Sequence, residues 1–355
     1  MAGHTVPWPP TGGSVKTIFI GDRVWGLTKE MIMTSSTIGS RQPAELAAET
    51  LRALALDEAL KWRIAADPAL LPVARRIAGR YIGGETPREA LERVREINAR
   101  GQAASVEYMG ESCRDAARAV AETEVFVALA GQVAEQGLNC SISLDLSHIG
   151  SVVDAELGLA NAVRVAEAAA DAGQEMMISM EGSDRTDLIL WTHGRLCERF
   201  DHVGITVQAR LHRTAEDLPR LLERSGRIRL VKGAFLEPES VAYPRDGADL
   251  RTAYLRYART LLDSGHACSI ATHDQDILDE LHDHLAGARR EVERFEFETL
   301  LGLGPEQLRS AQTRGYPVRE YVVFGTEWWL YVCNRIAEDP SRLFQALADA
   351  VPAGV

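Results

Sequence analysis

The chain is poor in the features that would take it away from ordinary globular chemistry. Its five cysteines (Cys113, Cys140, Cys197, Cys268, Cys333) are scattered, odd in number and free of Cys-x-x-Cys spacing. That indicates neither a disulfide framework nor a cysteine zinc site, and the expected compartment is the reduced cytoplasm. No apolar run approaches the roughly 18 residues of a membrane span, and the N-terminus has no signal-type apolar stretch. Positive charge is also scarce: 39 Lys and Arg stand against 51 Asp and Glu, a net charge of −12. That balance argues against nucleic acid and anionic membranes as partners and fits a soluble acidic surface. A Gly-x-Ser-x-Gly elbow is absent, as is any pair of His and carboxylate residues at metal-ligand spacing, so neither a serine hydrolase nor a metal centre is indicated.

What is present is a change of grammar near Gly101. Before it, Met1 to about Lys16 is rich in Gly and Pro and reads as loosely held chain. From Gln42 to Arg80 the pattern is helical, with starts at Pro43 and Pro68, and Thr86 with Glu89 forms a capping box ahead of Pro87. After Gly101, short β-rich runs alternate with helical ones. Strands are expected near Ala104–Met109, Ser141–Leu146, Met176–Met180, Val203–Gln208, Arg227–Val231, Ala267–Ala271, Arg294–Phe297 and Val318–Val322. Each is followed by a helix, the signature of a (β/α)8 TIM barrel. A doubly wound sheet would carry a Gly-rich phosphate turn after its first strand, and Gly110-Glu111-Ser112 is not one. The expected organisation is an N-terminal tail and helical extension over 1–100, a barrel over 101–345 and a C-terminal tail over 346–355.

In such a barrel, chemistry gathers where the strands end. Those ends carry Glu111, Asp145, Ser179 with Glu181, Gln208 with Arg210, Lys232 with Phe235, the Thr272-His273-Asp274 run, Glu298, and Tyr321 with Phe324. The stretch Arg229-Leu230-Val231-Lys232-Gly233-Ala234 brings a lysine and then bare backbone to a strand end, which suits a flat or phosphorylated ligand. On the last helix Arg335 and Glu338 share a face, with Asn334 beside them. Bland readings stand next to each: Asp145 as a turn cap, Arg335 with Glu338 as a surface pair, His273 as a bonded core histidine, Trp328 and Trp329 as packing.

Taken together, Gly83-Gly84-Glu85-Thr86, Gly110-Glu111-Ser112, Val207-Gln208-Ala209, Arg229 through Ala234, Ala271-Thr272-His273-Asp274, Phe295-Glu296-Phe297, Tyr321 through Gly325, and Tyr331 through Arg335 to Glu338 resemble the proline dehydrogenase family from about Leu56 to Gln345. The resemblance implies a distorted barrel that binds FAD noncovalently. Its flavin takes a hydride from the carbon next to the substrate nitrogen, and the electrons pass on to a quinone, oxygen or another acceptor. By the same resemblance the flavin contacts are Gln208, Arg229, Lys232, Gly233, Ala234, Thr272, His273 and Glu338, with Asp274 closing its block. Arginine and lysine near phosphates are what that cofactor needs. The remaining partners are a small-molecule substrate and, as an open possibility, further copies of the chain.

The substrate pocket departs from the family pattern. The family's Lys-Leu-Ser strand end is Asp145-Leu146-Ser147 here, an aspartate matches Ser179, and two tyrosines match Arg210 and Phe235. Of the paired carboxylate-binding arginines, the first is Asn334 and only Arg335 survives; Tyr321 is retained. At an effective dielectric near 20, each unit charge within about 4 Å of a carboxylate is worth about 4 kcal/mol before desolvation. A pocket rearranged in this way is not expected to hold proline in the family's pose; Arg210 and Arg335, a bidentate-capable pair, are expected to grip the carboxylate from another side. Asp145 then binds a protonated amine, accepts a proton from N–H, or forms a structural pair with Arg210. The expected activity is FAD-dependent oxidation of a C–N or N–N bond in a small amino-acid-like amine, with a hydrazine-bearing acid such as hydrazinoacetate as one version and specialised metabolism as a setting. The alternatives are an ordinary proline dehydrogenase and a flavin-less binding barrel.

Overall fold

The computed structural model describes residues 43–110, 112–245, 247–287 and 294–351. The expected loose N-terminal stretch, Glu111 and residues 352–355 lie outside them. The β-rich runs form β1 (Ala103–Tyr108), β2 (Cys140–Leu144), β3 (Met176–Ile178), β4 (Val203–Gln208), β5 (Ile228–Val231), β6 (Cys268–Ala271), β7 (Phe295–Leu300) and β8 (Val318–Phe324). They pair in sequence order, all parallel, and close into a barrel where β8 meets β1, with Ser105 opposite Tyr321. The expected (β/α)8 architecture is the one observed.

Helices α1 (Pro43–Ala55), α2 (Glu58–Ala66), α3 (Leu70–Ala78) and α4 (Pro87–Ala99) precede the barrel. One helix follows each strand in turn: α5 (Ala116–Glu135), α6 (Ala155–Asp171), α7 (Thr186–Cys197), α8 (Thr214–Leu221), α9 (Ala248–Ser264), α10 (Gln275–Gly287), α11 (Pro305–Thr313) and α12 (Trp328–Ala337). Then α13 (Arg342–Ala350) crosses the boundary at 346 where a tail is expected. Its amphipathic turns are tied down: Ala346 is buried, Arg80 pairs with Asp349 at 2.5 Å, and Arg76 donates to the carbonyl of Ala350 at 2.7 Å. The alanine-rich sequence between Pro340 and Pro352 hides this helix because its stability comes from docking on α3 rather than from caps. Among the described residues no helix is long and apolar enough to cross a membrane.

Side chains alternate along each strand with period two. The outward set, including Val106, Ile142, Leu144, Ile205, Leu230 and Ile270, is fully buried against the helices and makes the main core. The inward set is largely polar. Arg319 pairs with Glu296 at 2.6 Å, and Arg229 pairs with Glu298 at 3.0 Å. Burying an ion without partners costs several kcal/mol, so such pairs persist only when their remaining donors are satisfied. They are: Arg229 donates to Ser105 and Ser143, and Arg319 to Ser141, all within 3.1 Å.

The extension is joined to the barrel mouth through α12, where Trp328 donates to Glu85 and Trp329 to the carbonyl of Leu54. Around them Tyr81, Ile82, Val323, Val332 and Ile336 form a second, smaller apolar cluster. Thr86 and Glu89 make the capping box of α4, with hydrogen bonds running both ways. Replacing Thr86 by alanine is expected to cost about 1 kcal/mol, read as a lower denaturant midpoint with an unchanged slope.

Candidate active site

The ends of β1, β2 and β3 build an acidic sector. Glu107 stands on the inward face of β1, paired in register with Ser143 of β2 and Val323 of β8. Two residues beyond Ser143 comes Asp145, and two before Val323 comes Tyr321, level with Ser105, so alternation turns all three toward the barrel interior. Ser179 donates to Glu107 at 2.7 Å, and Tyr321 is hydrogen-bonded to the same carboxyl. Glu181 accepts from the backbone N–H of Ser147 at 3.0 Å and is ion-paired with Arg185, which also donates to Ser112. Burial, with Glu107 and Glu181 nearby, pushes the Asp145 carboxyl well above the usual range. Burial likewise raises Glu107 against the pull of Tyr321, Ser179 and Arg229, and it raises the Tyr321 hydroxyl beside Glu107.

The ends of β5 and β6, with α12 and α13, build a cationic sector. Lys232 pairs with Asp274 at 2.6 Å, joining the two strand ends. Asp274 also caps α10 through the N–H of Ile277, and despite burial the Lys232 ammonium holds it below its ordinary value. Arg335 pairs with Glu338 at 2.6 Å, and Arg342 reaches the same carboxylate at 3.6 Å. His273 lies among these cations. Burial first, then Arg342, Arg335 and Lys232, push it down to about 4, so it is neutral at physiological pH. Asn334 is half-buried next to Arg335 on α12, and Thr272 is buried, accepting from the N–H of Asp274.

Between the two sectors runs bare backbone. Gly233 has φ +110°, and a Cβ there would sit 2.7 Å from Gln208 Oε1 and from Arg210 Cγ. Only glycine meets both demands. Gln208 is buried and donates to the carbonyl of Glu181, while its Oε1 has no partner. Arg335 Nε, Arg245 Nε and Tyr331 Oη are also buried without partners. Orphaned polar atoms of this kind cost free energy unless something bound satisfies them.

Two expected residues take different surroundings. Arg210 does not neutralise Asp145: its guanidinium donates to the carbonyls of Phe235 and Tyr243 and so braces the β5–α9 loop. Arg229 lies beneath the site, its guanidinium 4.9 Å from the centre of the Tyr321 ring and bonded within the barrel. The same loop is strapped to the turn after β3, where Glu237 accepts from the backbone N–H of Ser183 at 2.7 Å and from its hydroxyl. Phe235 and Leu236 remain exposed on it, and Ala234 is exposed with its carbonyl held by Arg245. Glu107, Arg185, Arg245 and Arg342 escape a reading confined to strand ends. A charged residue at an inward position of β1 was the signal available for Glu107.

Because the folded-state value of His273 lies below its ordinary 6.5, the unfolded chain takes up the proton first as pH falls. Stability is therefore lost on acidification from about 6.5 toward about 4. His273→Gln is expected to make that fall in Tm shallower in scanning calorimetry, while buried His193, also near 4, leaves a residual slope.

Comparison with known proteins bears on this site. The family model described as proline dehydrogenase matches residues 90–332. Proline dehydrogenase 1 of Bacillus subtilis is 32% identical over 266 residues, covering 75% of this chain and 87% of its own. The proline dehydrogenase of Deinococcus radiodurans is 32% identical over 269 residues, covering 74% and 86%. Among solved structures, proline utilization A from Bdellovibrio bacteriovorus inactivated by N-propargylglycine superposes with a TM-score of 0.73 at 17% identity. That match covers 94% of this chain but only 43% of the other, and at this identity it speaks for the fold alone. The chain belongs to the proline dehydrogenase family.

Proposed function

We infer that the protein is an FAD-dependent oxidoreductase that oxidises a bond to nitrogen in a small amino-acid-like amine, and that proline in the family's pose is not its substrate. The observation carrying this is the acidic sector: Asp145 lies with Glu107 and Glu181 about it, and Arg185, a cation that acts on Asp145, is already paired with Glu181. A carboxylate-bearing ring would meet repulsion there, whereas a cationic nitrogen would be attracted. Arg210 is not free to compensate, since carbonyl oxygens occupy its donors.

The residues present fit FAD. The cationic sector suits a diphosphate, and the unpartnered Gln208 Oε1, Arg335 Nε and Tyr331 Oη are donors and an acceptor awaiting a ligand. Gln208, Lys232, Gly233, Ala234, Thr272, His273, Asp274 and Glu338 are assigned to hold it, whereas Arg229, expected among them, is committed within the barrel beneath. When bound, the flavin supplies a two-electron acceptor for hydride from the carbon or nitrogen beside the substrate nitrogen. Lys232 is partly exposed and its Asp274 partner is shared with the α10 cap, so the ammonium can turn to a phosphate. His273, neutral at physiological pH, offers a hydrogen bond without a further charge. In the substrate pocket Arg335 and Asn334 grip a carboxylate from one side. Asp145 and Tyr321 meet the nitrogen from the other, where Asp145 accepts the proton released from N–H as hydride leaves. A hydrazine-bearing acid such as hydrazinoacetate meets both ends and gives a hydrazone-type product, which suits a tailoring step in specialised metabolism.

The identity to named proline dehydrogenases favours a second reading, ordinary proline oxidation with a variant clamp. The purified protein is expected to be yellow, to keep its visible flavin bands when proline is added anaerobically, and to bleach with a linear or hydrazino amino acid. Asp145→Lys should restore the family's charge and shift selectivity toward proline on the order of 100-fold in kcat/KM, the scale of one rearranged charge contact. Bleaching of the unmodified protein by proline at ordinary affinity decides for the second reading, and a colourless protein would leave only a binding barrel.

A further inference from the structure

The turn after β3 is tied to the ends of β1, β2 and β4 by bonds that start from one residue. Glu181 is 4% exposed, and both of its carboxylate oxygens are occupied: Oε1 accepts the backbone N–H of Ser147 at 3.0 Å, and Oε2 is paired with Arg185, four residues on. Ser147 belongs to the turn that carries Asp145. That turn spends the N–H groups of His148, Ile149 and Ser151 on the carbonyls of Asp145 and Leu146, which leaves the N–H of Ser147 for a side chain to hold. The carbonyl of Ser147 accepts from the N–H of Cys113 at 2.9 Å, and Arg185 returns to Ser112 Oγ at 3.1 Å. Glu181, Ser147, Cys113, Ser112 and Arg185 thus close a circuit whose one link that is not a hydrogen bond is the peptide joining Ser112 to Cys113. The main chain of Glu181 serves the other sector. Its carbonyl accepts from Gln208 Nε2 at 2.8 Å, which leaves Gln208 Oε1, buried and unpartnered, beside Gly233. Fixing one end of a carboxamide fixes the other.

We propose that Glu181 is a positioning residue for both ends of the site: its side chain sets the turn from which Asp145 meets a cationic amine, and its carbonyl sets the amide of Gln208 at the bare backbone between the sectors. No motif that carries the family resemblance includes Glu181. A backbone N–H and a carboxylate withdrawn from water hold each other because neither has solvent to turn to. Such anchoring matters in a reacting site, where a displacement of about 1 Å can cost on the order of 100-fold in rate. Charge alone would attract an amine from any nearby carboxylate, whereas the circuit gives Asp145 a direction. The two contributions separate where the circuit can be broken without removing a charge, which is at Ser112. The inference rests on the amine-oxidising reading given above.

Two variants break the circuit at different points. Glu181→Leu removes both bonds of the side chain, and Ser112→Ala leaves every charge in place while releasing Arg185 on one side. The probe is 2-aminoisobutyrate, an amino acid with no hydrogen on the carbon next to nitrogen, titrated into the flavin-loaded protein and followed by the shift of the flavin bands. Its binding should weaken about tenfold or more in Glu181→Leu and about threefold in Ser112→Ala, while the dissociation constant for FAD stays within about twofold in both. In the Asp145→Asn background, Ser112→Ala should have no further effect, because the group it orients is gone.

A ligand-free readout accompanies it. In amide hydrogen exchange of the flavin-loaded protein, segments 112–115 and 145–149 should exchange about tenfold or more faster in Glu181→Leu, with β4 unchanged. Unchanged exchange in those segments, or equal binding of the probe by the unmodified protein and both variants, would overturn the positioning role. So would a loss in Ser112→Ala that persists undiminished in Asp145→Asn, since it would then act on something other than Asp145. Loss of FAD from Glu181→Leu would overturn the division between side chain and carbonyl. Faster exchange with no binding of the probe by any of these proteins would overturn the amine-oxidising reading and leave Glu181 as the residue that sets the turn.

Discussion

The guanidinium of Arg229 is the constraint around which the barrel is assembled. It reaches Glu298 on β7, Ser105 on β1 and Ser143 on β2, and lies against the Tyr321 ring on β8. A side chain with five donors in a rigid fork serves many partners at once in a way a lysine would not. Since the ion is almost wholly buried, every one of those bonds offsets a desolvation cost, and losing any leaves charge stranded in a low dielectric. Below it Arg319 and Glu296 repeat the arrangement. The barrel interior is thus an ionic column, and the aliphatic packing that such interiors usually contain lies outside the strands, against the helices.

The column has a consequence at its upper end. Its two arginines are spent within the barrel, so among the described residues the layer above them, formed by Glu107, Asp145 and Tyr321, feels Arg229 and Arg185 but is ion-paired with neither. The cations that do stand at the mouth come from elsewhere: Lys232 at the end of β5, Arg335 on α12, Arg342 on α13 and Arg245 in a loop. Charge is therefore separated across the mouth by the order in which strands close, and a molecule lying across it meets opposite potentials at its two ends.

Much of this was legible from residue patterns. Alternation of β-branched runs with amphipathic ones located the eight strands within a few residues, because each strand buries its outward face and must read as apolar there. Thr86 with Glu89 announced a helix start through chemistry local to four residues. The pairing of Arg335 with Glu338 followed from helical spacing. Long-range commitments were not legible. Arg210 reads as a counter-charge to Asp145, but its donors go to carbonyls of residues 235 and 243, which loop geometry alone brings near. Glu107 lies inside a strand rather than at its end, where a charge at an inward position was its one signal, and α13 owes its existence to docking on α3.

The separation of the two sectors also bears on how such a protein can change over time. Acidic residues come from β1 to β3 and cationic ones from β5, β6 and the C-terminal helices, with the backbone at Gly233 between them. Substitutions that share no partner act nearly independently. A lineage can therefore redraw the acidic end of the pocket, as with the aspartate at position 145, while the other end keeps its fold and its stability.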